Sequence, residues 1–173
     1  MILKNTSGLT GFAFFTAVAT TVYFLESMAV RALPIPFLRI GLANVVIVYL
    51  LYSQRFQMAL VVNILKTLIG GLISFSLMSP ATVISLCGGT GALLIMWIMM
   101  KLSIRFSIVG ISIAGAVTHN VIQIFCVRWM VITRDSVFQL LPLLMIIGIV
   151  TGMFTGMIAL ELYRRLEGKS LCS

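Results

Sequence analysis

The chain has 173 residues, of which 61% are hydrophobic and only 9% charged. A soluble domain carries about 25% charged residues, and no soluble fold hides this much apolar surface, so the expected solvent is lipid. The net charge of +8, with four acids in all, would point to nucleic acid in a soluble protein; here it is expected to set topology and to meet anionic lipid, with no nucleic-acid partner.

Five or six spans of about 20 residues fit this length. The first is expected over residues 9–28, "LTGFAFFTAVATTVYFLESM". Its apolar run is too long for a cleaved signal peptide and it lacks a cleavage site, so it reads as a retained helix. A second segment, 40–52, follows the proline-containing stretch "LPIPFLRIGLAN" and is short for a full crossing. Span three covers 56–77 with Lys66 in its middle, and Ser79-Pro80 makes a turn before span four, 82–100. Spans five and six are expected at 106–130 and 137–163. Long uncharged runs between brief polar turns are unlike the alternating strands of an outer-membrane barrel. The expected fold is therefore all-α: one polytopic transmembrane domain, residues 1–173, of about six helices.

Six spans place both termini on one side. That side collects Lys4, Arg55, Lys101, Arg105, Arg164, Arg165 and Lys169, against Arg31, Arg39, Arg128 and Arg134 on the other. The excess assigns both termini to the cytoplasm of a multi-pass protein of the inner (cytoplasmic) membrane. The proline loop, the Ser79-Pro80 turn and the turn at 133–136 then share the outer face and are placed to close a pocket.

Lys66 stands about ten residues into a span, at a depth where a charge costs roughly 2.5–3.5 kcal/mol. Three roles are open to it: a structural ion pair with Glu26, a place in a kinked span that brings it near water, or a cation facing an internal cavity. Arg39 follows Pro34 and Pro36 and begins a helix; it is either an interfacial arginine or a planar fork for a carboxylate or phosphate. Asn44, five residues on, either joins helices or faces the same ligand. In "THNVIQIF", His119 and Gln123 share a face and Asn120 lies beside them. Helix–helix hydrogen bonding and ligand contact are both open to these three.

No metal site or cofactor is expected. His119 is the only histidine, and Cys87, Cys126 and Cys172 form neither a zinc pattern nor a disulfide framework. The four acids, Glu26, Asp135, Glu161 and Glu167, supply no Asp-rich prenyl-diphosphate motif, and no catalytic residue is assigned. No phosphate-cradling loop is present, so any ATP would be used by another subunit. Small residues recur at Ala13 and Ala17 and at Gly148, Gly152 and Gly156. Such stripes allow close approach of a helix, from within the chain or from a partner.

Four stretches, "PIPFLRIGLANVV", "TVISLCGG", "VGISIAGAVTHNVIQ" and "LPLLMIIGIVTGMFTGMIA", together resemble the membrane family called heptaprenyl diphosphate synthase component I, or the Gx transporter family. The resemblance runs from about Phe14 to Leu162. That family is in turn similar to the substrate-binding S components of energy-coupling factor (ECF) transporters. The resemblance implies a six-helix protein that binds a small anionic vitamin-like, quinone-related or prenyl-related compound from outside. It also implies a membrane coupling protein and ATPase subunits as partners, docked at Ala13 and Ala17. The expected substrate contacts are Arg39, Asn44, Lys66, His119, Asn120 and Gln123. Two alternatives are a membrane subunit assisting heptaprenyl diphosphate or menaquinone biosynthesis, and a structural subunit of a membrane redox complex.

Overall fold

A computed structural model describes residues 6–31, 41–102, 106–131 and 135–167. In chain order these form α1 (Thr6–Arg31), α2 (Asn44–Tyr52), α3 (Phe56–Ile73), α4 (Pro80–Lys101), α5 (Ile108–Met130), a 3-10 turn (Asp135–Leu140) and α6 (Leu141–Glu167). No strand occurs among the described residues. Every helix except α2 is long and apolar enough to cross a membrane, and the protein is an all-α polytopic membrane protein.

Local sequence sets the helix boundaries. Ser79 is extended at the N-cap of α4 and Pro80 occupies the first turn, where its missing N–H costs nothing. Ser107 caps α5 by accepting a hydrogen bond from the Gly110 amide at 3.1 Å. α2 and α3 both end in Schellman motifs. Arg55 N donates to Leu50 O and Ser76 N to Gly71 O, with Gln54 and Phe75 at the left-handed position.

Successive helices run antiparallel. Gly71 of α3 meets Thr82 of α4 while Asn63 meets Gly89, and Gly88 of α4 meets His119 of α5 while Met96 meets Gly115; α1 runs parallel to α3, with Tyr23 at the level of Gly70. The start of α1 lines a cleft with the α2–α3 turn, and Tyr163 near the end of α6 packs on Tyr52 with ring centroids 4.8 Å apart. The start of α1 and the end of α6 therefore lie at the same end of the bundle. We call this the terminal end; the α3–α4 turn marks the distal end.

α2 differs from the expected second span. It is only nine residues long, and Val46 to Leu51 are buried without interruption. A helix that is apolar all round is a core helix, and α2 touches all five other helices. Among the described residues the backbones of α1 and α6 do not approach each other, and α2, together with α4, joins the α1–α3 side to the α5–α6 side.

Two apolar clusters result. One surrounds α2 toward the terminal end and includes Ile47, Leu50, Val62, Leu93 and Ile111. The other closes α4, α5 and the start of α6 distally, around Ile84, Ile124, Val127, Val137 and Leu144. The buried polar side chains Asn63, Lys66, Thr67, Asn120 and Gln123 belong to neither cluster.

The glycine row of α6 packs inside the bundle, against α5. A methyl group on Gly152 would lie 2.7 Å from Ile113 Cα, and one on Gly156 2.8 Å from Val109 Cα. Those neighbours are backbone and cannot yield, so the helices would have to separate. Gly11 on α1 has open space at the same position. Alanine in a helix interior gains about 1 kcal/mol over glycine. Gly11→Ala should therefore hold or raise the melting temperature in detergent, whereas Gly152→Ala should lower it, the clash exceeding the gain in helix propensity.

Candidate functional site

α2 begins in the middle of the bundle. Gly41 precedes it with φ +77°, a conformation that suits glycine, and Asn44 N donates to Gly41 O at 2.8 Å to start the helix. Glu26 of α1 accepts a hydrogen bond from the Gly41 amide. Three residues on, Asn44 Oδ1 accepts one from Lys66 Nζ at 2.6 Å. Lys66 is only 4% exposed. Ten residues from the start of α3, it lies about 15 Å along that helix, a distance of half a bilayer core.

Around this point the helices leave two small neighbouring cavities, here called lobes. The first lobe is lined by Tyr23, Glu26, Asn44, Lys66, Ser85 and His119, with small residues between them. The second lies toward α5 and α6 and is lined by Asn44, Met96, Ser112, His119, Asn120 and Thr155, among others. Gly41, Asn44 and His119 are common to both. Each lobe has room for a water molecule. A solute of several atoms requires the lining to part.

The side chains are held by short contacts. Adjacent glycines on α4 serve opposite neighbours. A methyl on Gly88 would stand 3.1 Å from the His119 ring, and one on Gly89 2.8 Å from Asn63 Oδ1. The pair lets α3 and α5 bring polar groups against the α4 backbone. Asn120 Nδ2 donates to Leu144 O at 2.7 Å, tying α5 to α6. The hydroxyls of Ser112 and Thr155 are 2.8 Å apart across the same interface.

Among the predicted contact residues, Asn44, Lys66 and His119 meet in the first lobe, and Asn120 lines the second. Gln123 is buried on α5 but lines neither lobe. Arg39, with Pro34 and Pro36, lies outside the described residues. Ala13 and Ala17 sit on the exposed face of α1. Sequence reasoning missed Asn63, Thr67, Ser85, Ser112 and Thr155, and weighed Glu26 only as a partner for Lys66. The spacing of Asn63, Lys66 and Thr67, three and four apart, was the available signal of an inward polar face.

The electrostatics favour an anion. The N-terminus of α2 carries the positive end of its helix dipole, and the Lys66 ammonium is bonded to the first residue of that helix. Two positive features share one buried place, opposed by Glu26. The protein is thus a polytopic helical membrane protein with a charged cavity at its centre. It belongs to the heptaprenyl diphosphate synthase component I family, whose model matches residues 15–162. No curated protein and no solved structure matches it.

Asn44→Leu removes the acceptor of the Lys66 ammonium, and a hydrogen bond to a charged group is worth about 1.5–3 kcal/mol. The single variant should lose stability of that order. Adding Lys66→Met should restore part of it, giving a coupling energy in a double-mutant cycle read by denaturant or thermal unfolding.

Proposed function

We propose that this chain is the substrate-binding subunit of an ECF-type uptake system for a small anionic compound, vitamin-like or related to quinones or prenyl groups. One observation carries the reading. A buried lysine and the start of a short helix converge on a polar cavity at mid-bundle. Helices broken near the midplane, with their N-termini turned to an anionic group, are a recurrent solution for substrate binding in transporters. A charged residue inside the membrane is costly and is retained for function.

In this reading Lys66 and the α2 N-terminus meet the anionic part of the substrate. Asn44, His119 and Asn120 supply hydrogen bonds, with Gln123 behind them on the same helix. Arg39 acts at the mouth, delivered by the prolines that precede it. Substrate enters from the distal end, taken as the outside, and leaves after rocking driven by a coupling protein and ATPases. The outward exposure of Ala13 and Ala17 supports α1 as the docking helix. The family's name favours a second reading, a membrane subunit that assists prenyl-diphosphate synthesis by holding a lipid diphosphate at the same cations.

A thermal-shift screen of the purified protein against vitamins, quinone precursors and prenyl diphosphates separates the two. Under the transport reading, a soluble anionic compound stabilises wild type, and Lys66→Met abolishes that stabilisation while the protein stays folded. Stabilisation by prenyl diphosphates alone would select the second reading. Arg39→Lys should weaken binding of the same compound, and Arg39→Ala should weaken it further, by roughly 1.5–3 kcal/mol for a lost charged hydrogen bond.

The sidedness has its own test. In a variant freed of native cysteines, a cysteine at Gln54 should label from the cytoplasm. One at Met78, which is 97% exposed in the α3–α4 turn, should label from outside. Labelling of both from one side would overturn the assignment.

A further inference from the structure

Spacing along the chain pairs none of the three cysteines, yet the fold brings two of them together. We propose that Cys87 and Cys126 are a redox-active dithiol, oxidised to a disulfide by a lipid-soluble quinone, that fastens α4 to α5 beside the cavity. Both thiols are free, with Cys87 exposed and Cys126 partly buried, and they lie within hydrogen-bonding reach of each other. The helix register accounts for the meeting. A methyl on Gly91 of α4 would stand 2.1 Å from Ile122 Cδ1 of α5, so Ile122 rests on the α4 backbone there. One turn further toward the distal end, α4 carries Cys87 and α5 carries Cys126. Side chains lean toward the N-terminus of their helix, so on these antiparallel helices the two thiols lean toward each other.

The surroundings select the product and the oxidant. Val83 and Leu94 share the side of α4 that carries Cys87 and are exposed, as are Phe125 and Trp129 on α5. The pair therefore sits on a lipid-facing surface. Cys87 is seven residues into α4 and Cys126 four from the end of α5, about 10 and 6 Å inside the distal helix ends. Hydrocarbon penalises an ionised thiol, and exchange with a water-soluble disulfide requires a thiolate. A soft metal ion would need both thiols ionised, and among the described residues no third ligand completes a metal group. A disulfide is neutral. In forming it two S–H bonds break and one S–S bond forms. Two electrons and two protons pass to the quinone, which leaves as the hydroquinone, so no charge is left in the lipid. Gly88, next to Cys87, receives the His119 ring, and Ser85 and Gly89 line the first lobe. The bond therefore fixes the α4–α5 wall of that lobe from the lipid side.

The test uses the full-length protein in lipid nanodiscs with Cys172→Ser, which leaves Cys87 and Cys126 as the only thiols. Decylubiquinone is the lipid-soluble oxidant and oxidised glutathione the water-confined one. Decylubiquinone should lower the intact mass by two hydrogen atoms and leave no thiol for a maleimide after denaturation. Trypsin cuts after Lys66, Lys101, Arg105 and Arg128, so the bond joins peptide 67–101 to peptide 106–128 until a reductant separates them. The same peptide map can be read in the wild type. Cys87→Ser or Cys126→Ser, each added singly, should abolish the mass loss and leave one reactive thiol. The oxidised protein should melt at a higher temperature, and dithiothreitol should reverse the gain. Oxidised glutathione should leave both thiols free. The proposal falls if decylubiquinone leaves both thiols reactive, or links Cys87 of one molecule to another molecule. An equal yield with oxidised glutathione would overturn the lipid-soluble oxidant. An unchanged or lower melting temperature in the bonded protein would overturn the fastening of α4 to α5.

Discussion

A helix that starts inside an apolar bundle must satisfy its first backbone groups there, because lipid offers no hydrogen bonds. α2 does this with a tight turn. Asn44 N and Val45 N donate to Gly41 O and Leu42 O at 2.8 and 3.1 Å, and Glu26 takes the Gly41 amide. The remaining polarity is that of the dipole and of Lys66, both positive. The buried polar side chains of the middle zone follow from this constraint. Asn44 receives the lysine, and His119 and Asn120 reach the same level from α5. The α4 glycines give His119 and Asn63 the space they need.

The two sides of the bundle are fastened differently. α5 and α6 meet backbone to backbone along the Gly148, Gly152 and Gly156 row. Once closed, such an interface has little room to slide. The α1–α3 contact instead rests a flexible ring on a glycine: Tyr23 lies where a methyl on Gly70 would be, 2.3 Å from its Cδ1. The cavity lies between these two pairs, with α2 and α4 joining them.

Much of this was legible in the sequence, because lipid imposes long apolar runs and polar residues inside them stand out. Lys66, Asn44 and His119 were visible as exceptions in apolar spans, and the structure brings them together. The length of α2 was less legible. The uncharged stretch from Gly41 to Gln54 reads as a thin crossing, and only Gly41 with its positive φ and the unbroken burial of Val46–Leu51 reveal a core helix. Serine and threonine residues such as Ser112 and Thr155 carry no such signal. Hydroxyls often bond to their own helix, as Thr151 Oγ1 does to Ile147 O at 2.9 Å, and the sequence does not distinguish that use from a bond across an interface. Gln123 shares the face of His119 by spacing, yet it is buried outside the lining of either lobe.

The short α2 helix has a consequence for how the protein is made. A helix of nine residues extends only about 14 Å, less than half a bilayer core. The insertion machinery, which reads apolar stretches of about 20 residues, has no span to recognise there. α2 must be carried in as one arm of a hairpin with α3, joined by the tight turn through Gln54. Its flank at Tyr52 then waits for Tyr163 of α6, which is made after it, to pack there. Until α6 arrives, the arm that frames the cavity is only half enclosed, so a chain truncated before α6 would expose the most apolar helix of the molecule to quality-control proteases.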